Sequence, residues 1–230
     1  MDTIIVKNIK SSYGKKEILK DVSFSAEKGD CIGILGYNGC GKSTLLSILS
    51  GIRKASNGEI KYNEATAFSK NKNEFNRKIF ENQIGYVPQE NPLIPELSVY
   101  DNLLLWFDSK EQLNKELQSG FLHKLGVDTF VKKKINQLSG GMKKRVSIGI
   151  ATINTPKVLI LDEPSAALDL SCKEDIKEYL KEYIEAGNNV IITTHEDTEL
   201  ELCNKLYVLK DGILTSVDKN LRGKELVEKF

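Results

Sequence analysis

Charge of one sign is missing from this chain of 230 residues: 33 Lys and Arg stand against 32 Asp and Glu, a formal net charge of +1. Sequence-independent binding of nucleic acid needs a surplus of cations to displace phosphate counterions, so nucleic acid is not an expected partner. Long hydrophobic runs are missing too, and none approaches the roughly 18 apolar residues of a membrane-crossing helix. The opening Met1-Asp2-Thr3-Ile4 lacks the basic and apolar regions of a secretory leader, so a cytoplasmic, non-spanning chain is expected. Cysteine is sparse: Cys31, Cys40, Cys172 and Cys203 form no close CxxC pair, which argues against a disulfide framework or a zinc site. There is no fixed-period repeat, Pro/Ser linker or low-complexity tract. What is present is 40% hydrophobic and 28% charged residues, enough to bury a sizeable core and to exclude disorder.

Short β-branched runs alternate with helical patterns, the signature of an α/β core on a largely parallel sheet. Cys31 to Leu35 reads as a buried strand ending in glycine, followed by a helix whose inner face is Leu45, Leu46, Ile48, Leu49 and Ile52. Val158 to Leu161 is a second buried strand; the helix after it carries Ile176, Leu180 and Ile184 before Gly187 closes it. Val190 to Thr194 supplies the next strand. Lys210-Asp211-Gly212 between LYVL and ILTSV predicts a hairpin. IIVKNI and DVSFSA, with the Lys28-Gly29-Asp30 turn after them, suggest an antiparallel sheet beside the parallel one. From Pro92 to about Thr155 leucines in helical contexts predominate, so residues 92–155 are expected to form a helical subdomain inserted between 1–91 and 156–230. Ser69 to Asn76 reads as an exposed loop or the edge of a small element.

The most specific local signal is Gly36-Tyr37-Asn38-Gly39-Cys40-Gly41-Lys42-Ser43-Thr44, which fits GxxxxGK[ST] between a strand and a helix. Glycines let the backbone curl so that successive N–H groups point at phosphate oxygens, and the helix behind presents its positive end to the same anion. Lys42 adds a mobile positive charge, Ser43 offers a hydroxyl to Mg²⁺, and Thr44 can contact phosphate. A second anchor is expected where Val158-Leu159-Ile160-Leu161-Asp162-Glu163-Pro164 ends a buried strand in two carboxylates. Asp162 is placed to hold Mg²⁺ directly or through water, while Glu163 points towards an attacking water.

Leu138-Ser139-Gly140-Gly141-Met142-Lys143-Lys144-Arg145, ahead of Asp162, resembles the signature motif of ATP-binding cassette (ABC) ATPases. The family's other landmarks follow in order: Tyr13 before the first glycine turn, Gln89 in Tyr86-Val87-Pro88-Gln89-Glu90, Asp169 in Ser165-Ala166-Ala167-Leu168-Asp169, and His195 in Thr193-Thr194-His195-Glu196. The resemblance runs from Tyr13 to about Gly212. It implies a single ABC ATPase domain with a RecA-like P-loop NTPase core, an antiparallel β subdomain and an inserted α-helical subdomain. It also implies that ATP is bound by Tyr13, Gly36, Asn38, Gly39, Cys40, Gly41, Lys42, Ser43, Thr44 and Gln89, with Tyr13 stacking on adenine. Glu163 would be the general base, and His195 would hydrogen-bond the γ-phosphate; with Lys42 they form the catalytic set. Ser43, Gln89 and Asp162 would hold Mg²⁺. Ser139, Gly140 and Gly141 would bind ATP held by a second cassette, and Asp169 would lie across that interface.

Two positions depart from the commonest pattern: Met142 replaces glutamine, and Ala167 stands where many members have glycine. SGGMKKR is similar to the signature of cassette exporters whose membrane partners are of the ABC-2 type, and the tract from Glu90 to Leu103 also looks like that group. The expected partners are ATP, an integral membrane permease and a second ABC subunit, expected as a homodimer, at the cytoplasmic face of a membrane. An importer subunit is the alternative reading and a soluble ABC ATPase the more distant one. Leu93, Leu97, Leu103, Trp106 and Phe107 are candidate contacts for the permease, at most half of them in contact. The run Lys132-Lys133-Lys134 reads as a solvated face.

Overall fold

The computed structural model describes residues 2–166 and 168–230, so the departure at Ala167 lies outside the described residues. In chain order the elements are β1 (Asp2–Tyr13), β2 (Lys16–Glu27), β3 (Cys31–Leu35), α1 (Lys42–Leu49), β4 (Asn57–Tyr62), β5 (Ala65–Ser69), β6 (Glu74–Phe75), α2 (Arg77–Gln83) and β7 (Ile84–Val87). The helices α3 (Val99–Leu104), α4 (Lys110–Ser119), α5 (Phe121–Lys124) and α6 (Gly140–Thr152) come next. The chain continues with β8 (Val158–Asp162), α7 (Leu170–Glu185), β9 (Asn189–Thr193), α8 (Asp197–Leu200), β10 (Lys205–Lys210), β11 (Ile213–Val217) and α9 (Gly223–Val227).

The strands lie in the order β6-β5-β4-β1-β2-β11-β10-β3-β9-β8-β7. From β10 to β7 every neighbour runs parallel. On the other flank, β2, β1, β4, β5 and β6 pair antiparallel. The expected antiparallel sheet is therefore present, and it is joined to the parallel one through β11, where Ile213 pairs with Asp21. The Asp211-Gly212 hairpin forms between β10 and β11, both turn residues at positive φ, 50° and 80°.

β3, β8 and β9 are buried along their whole length, as parallel strands covered on both faces must be. Their side chains alternate between two cores. Leu35, Leu159, Leu161, Val190 and Ile192 join the core beneath α6, α7 and the helical segment. Ile32, Ile34, Val158, Ile160 and Ile191 join Leu45, Leu46, Ile48 and Leu49 of α1 and the antiparallel strands. A shift of one residue would exchange the two faces, so register is fixed from both sides. Gly33 points at the first core, where an added Cβ would come within 2.6 Å of Leu206 Cδ2 and 3.0 Å of Cys203 Sγ.

One sequence expectation is corrected. Ile52 lies beyond the end of α1 and is exposed, because the helix stops at Leu49 and the chain turns at Gly51 with φ of 77°. Of the two readings of Ser69–Asn76, the edge of a small element holds, with β6 pairing on β5 at the sheet edge. Leu103 is fully buried, and Leu93 and Phe107 pack against the same core; of the five permease-contact candidates Trp106 lines a groove, with Tyr86, Pro88 and Pro92. The strand β7 had no sequence expectation; Ile84-Gly85-Tyr86-Val87 is short and interrupted by a glycine, and pairing with β8 makes it a strand. Among the described residues no helix is long and apolar enough to cross a membrane.

Candidate functional site

The loop between β3 and α1 wraps a cavity of about 450 Å³ lined by Tyr13, Ile18, Asn38, Gly39, Gly41, Lys42, Ser43, Thr44, Gln89 and Glu163. Glycine is required at its two ends. Gly36 sits at φ 147°, and a Cβ there would fall 2.4 Å from the Leu209 carbonyl. Gly41, at φ 112°, starts α1 with no side chain capping it, leaving the first amide groups of the helix directed at the cavity mouth. Lys42 is less mobile than its sequence context suggests: it is buried, and its ammonium donates to the carbonyls of Gly36, at 2.7 Å, and Tyr37, at 3.3 Å. Two of its three donors thus brace the loop, and one remains for an anion. Cys40 borders a neighbouring cavity with Tyr37, Asn38 and Gly39 instead of this one.

The carboxylates come from the end of β8. Asp162 is buried, and its Oδ1 accepts from Thr193 Oγ1 at 2.6 Å. Glu163 adopts φ 47°, a left-handed backbone unusual for a side chain of this kind. Its N–H donates to the Thr193 carbonyl at 3.0 Å, which holds that conformation in place. The turn sends the Glu163 carboxylate towards Gln89, whose Nε2 donates to Glu163 Oε2 at 3.0 Å. β7 and β8 are adjacent parallel strands, so both residues leave the same sheet edge. The Gln89 amide oxygen, the Ser43 hydroxyl and the Asp162 carboxylate are all hard oxygen donors, a set suited to Mg²⁺ and unsuited to thiophilic metals.

Tyr13 is 55% exposed at the cavity rim. The guanidinium of Arg53 lies 3.7 Å from its ring centroid, and the same group donates to the Ser12 carbonyl at 2.9 Å. Arg53 thus covers one face of the ring and fixes its orientation. No motif pointed to Arg53; the contact joins the end of β1 to the turn after α1 and is visible only in three dimensions.

Other predicted residues stand apart from the cavity. His195 is exposed after β9, its ring edge-on to Phe230 at 6.4 Å, and Phe230 also meets Tyr37 at 5.5 Å. Ser139 caps α6, accepting from the Met142 N–H at 3.3 Å, with Gly140 exposed beside it. Gly141 is buried, and a Cβ there would meet Cys172 Sγ at 2.6 Å, so glycine lets α6 approach α7. Asp169 is exposed and caps α7, accepting from Cys172 N–H at 2.9 Å. Ser139, Gly140, Gly141 and Asp169 do not line the cavity that contains Lys42.

Two buried ionisable residues had no role assigned from the motifs. Lys144 of α6 donates to the carbonyls of Pro88, at 3.1 Å, and Gln89, at 3.2 Å. Burial lowers its pKa, and the negative charges of Asp162, Glu199 and Glu163 oppose that shift. Glu199 of α8 is buried; its Oε1 accepts from Ser165 Oγ, and its Oε2 has no partner among the described residues. Burial raises its pKa above the ordinary 4.5, against the hydrogen bond from Ser165. Burial and the nearby Asp162 charge likewise push the Tyr86 phenol up to about 12.

The family model for "ABC transporter" matches residues 19–166, more than half of the chain. The chain belongs to the ABC transporter family. As a member it is an ABC ATPase, and ATP is its nucleotide. It is similar to the linearmycin resistance ATP-binding protein of Bacillus subtilis, 36% identical over 92% of this chain and 67% of the relative. It is also similar to a Fe(3+) ions import ATP-binding protein of Haemophilus influenzae, 32% identical over 94% of this chain; the chain spans only 61% of that relative's length. Among solved structures, a dimeric ATP-binding cassette in a post-hydrolysis state with ADP and Pi superimposes with a TM-score of 0.81, at 30% identity, covering 96% of this ABC chain and 99% of that one.

Proposed function

We propose that this chain is the ATP-hydrolysing nucleotide-binding subunit of an ABC exporter, with two cassettes closing on ATP and a separate membrane permease doing the transport. The observation that carries the reading is the 3.0 Å hydrogen bond from Gln89 to Glu163 at the mouth of the loop cavity. It sets a base beside the place where phosphate oxygens would lie against Lys42 and Ser43. Glu163 takes the proton of an attacking water, while Lys42 and the loop amides hold the developing charge on the phosphates. Ser43, Gln89 and Asp162 hold Mg²⁺, which supplies neutralisation of phosphate charge when bound. Tyr13, oriented by Arg53, stacks on adenine, and His195 orients the γ-phosphate.

Ser139, Gly140 and Gly141 complete the site of a second copy, with Asp169 at the same interface. Their separation from the cavity within one chain supports this, as does the dimeric state of the similar solved cassette. The whole chain is one ABC ATPase domain in which residues 92–155 form the helical subdomain and contact the permease at the cytoplasmic membrane face. Export is supported by the SGGMKKR signature and by similarity to the linearmycin resistance protein. An importer subunit is the second reading, supported by similarity to the Fe(3+) import protein.

The test is affinity purification of the Glu163→Gln chain with MgATP from detergent-solubilised membranes, with the soluble fraction in parallel. Recovery of a membrane permease, followed by transport assays of the reconstituted pair in both orientations, establishes the transporter and its direction. Recovery with ribosomes or DNA-bound proteins alone overturns it.

A further inference from the structure

α6 is capped by Ser139, expected to meet the nucleotide of a second copy, and five residues along, still within the signature segment, it carries a lysine to which that motif assigns no nucleotide contact. Lys144 is 4% exposed. Its partners are two successive backbone carbonyls, Pro88 and Gln89. A buried ammonium is expensive to keep, whereas methionine fills much the same stem volume without a charge. The stem alone therefore does not account for a lysine here. What the ammonium adds is a fixed point between α6 and the segment that leaves β7. From that point the chain of contacts continues: the Gln89 carbonyl accepts from Lys144, and the Gln89 side chain donates to Glu163 at 3.0 Å. The negative charges of Asp162, Glu163 and Glu199 favour a cation at this place.

We propose that Lys144 is a positioning residue, the clamp through which the helix of the signature motif holds the Gln89 loop and thereby sets the place of the Glu163 carboxylate. The inference rests on the reading of Glu163 as the base. Lys144 touches neither nucleotide nor reacting atoms. Displacing α6 relative to the sheet, as engagement of Ser139 by a second copy would do, draws on the two carbonyls and moves the Gln89 amide with them. Neighbouring Arg145 anchors α6 differently, to the Leu125 carbonyl and to Asp175 of α7, so the two basic residues divide the tasks of fastening the helix to Leu125 and α7 and to the Gln89 loop.

The experiment is a double-mutant cycle in the full chain, with steady-state ATPase kinetics, fluorescent-nucleotide binding and thermal melting for Lys144→Met, Lys144→Arg, Gln89→Ala and Lys144→Met/Gln89→Ala. Misplacing a catalytic group by about 1 Å costs on the order of 10²-fold; for a flexible loop held at other points a kcat loss of about tenfold is expected in Lys144→Met. KM and nucleotide affinity stay within about twofold, because Lys144 is absent from the cavity lining. Lys144→Arg restores most of kcat, since it keeps the donors. The double variant is no slower than Gln89→Ala alone, because the effect passes through Gln89. Should methionine prevent folding, Lys144→Gln, a neutral donor of similar length, takes its place in the cycle. Losses in kcat that multiply in the double variant, an unchanged kcat in Lys144→Met, or an arginine variant no better than methionine would overturn the clamp. Glu163→Gln serves as the control that separates the two claims: wild-type turnover there removes the base and with it the proposed function, whereas failure of the cycle alone removes only Lys144.

Discussion

The two glycine-bearing helix starts of this molecule, at α1 and at α6, look alike in sequence and differ in how they are built. At α1 the turn follows a fully buried strand, Gly41 leaves the helix end uncapped, and a buried lysine braces the loop. At α6 the N-terminus is capped by its own Ser139, and its neighbours Gly140 and Ser139 are exposed. The first has a cavity with the Glu163 carboxylate across from it; the second has a surface. On the proposed function, the first is an anion site completed inside one chain and can be rigid, while the second, completed by another chain, has to present itself outward and be held from behind. Lys144, Arg145 and the close approach of Gly141 to Cys172 do the holding.

The sharpest test of this contrast is Glu163→Gln. Loss of a general base costs 10²- to 10⁴-fold in typical cases. Turnover should fall at least a hundredfold with nucleotide binding retained, and with MgATP the variant should elute as a dimer; wild-type turnover would remove Glu163 from its role. Lys42→Ala comes next. It deletes the buried ammonium and leaves the Gly36 carbonyl without its partner, and a charged hydrogen bond is worth about 1.5–3 kcal/mol. Nucleotide affinity of the single chain should drop by roughly tenfold or more, measured by fluorescent-nucleotide titration.

Ser139→Ala should act on the other side of the contrast. It removes the cap of α6, worth about 1 kcal/mol, and lowers turnover and dimer formation several-fold, with affinity of the isolated chain for nucleotide unchanged. Mixing Ser139→Ala with Lys42→Ala chains should restore part of the activity, because one of the two composite sites in a mixed dimer is then intact. An affinity loss in the isolated Ser139→Ala chain would place the signature in the same site as Lys42 and abolish the contrast.

The smallest effect concerns Glu199, behind the catalytic edge. Its folded pKa is raised, so the native state holds the proton more tightly than the unfolded chain does, and that contribution is present below about pH 4.5 and is lost as pH rises through the folded value. Glutamine cannot ionise. The melting temperature of Glu199→Gln relative to the parent should therefore be higher at pH 8 than at pH 5. A difference that is flat or of opposite slope between the two would show that burial does not raise the Glu199 pKa.

Much of the site was legible because nucleotide chemistry demands particular residue types at tight local spacing. Gly36 to Thr44 needs only its own backbone to curl, and Asp162-Glu163 needs only a strand that ends there. Asp211-Gly212 likewise announced its hairpin, since both residues tolerate positive φ. Less legible were elements whose signal is pairing: β7 has four residues and becomes a strand through β8, and Ile52 matched the helical period while lying past the helix end. Periodicity extends a pattern across a turn that only the Gly51 backbone reveals.

The sequence by itself determined the family, the phosphate loop, the carboxylate pair and the alternation of strand and helix, because each of these is local or repeats at short period. The tertiary structure alone decided that Arg53 covers Tyr13, that Gln89 reaches Glu163, that Lys144 clamps the carbonyls of Pro88 and Gln89, and that the signature stands apart from the loop it resembles. These contacts join residues tens of positions apart. A lysine or arginine in a helical or polar stretch reads as a solvated side chain until folding surrounds it, and the free energy that selects its partner comes from burial, which no single segment of the chain possesses.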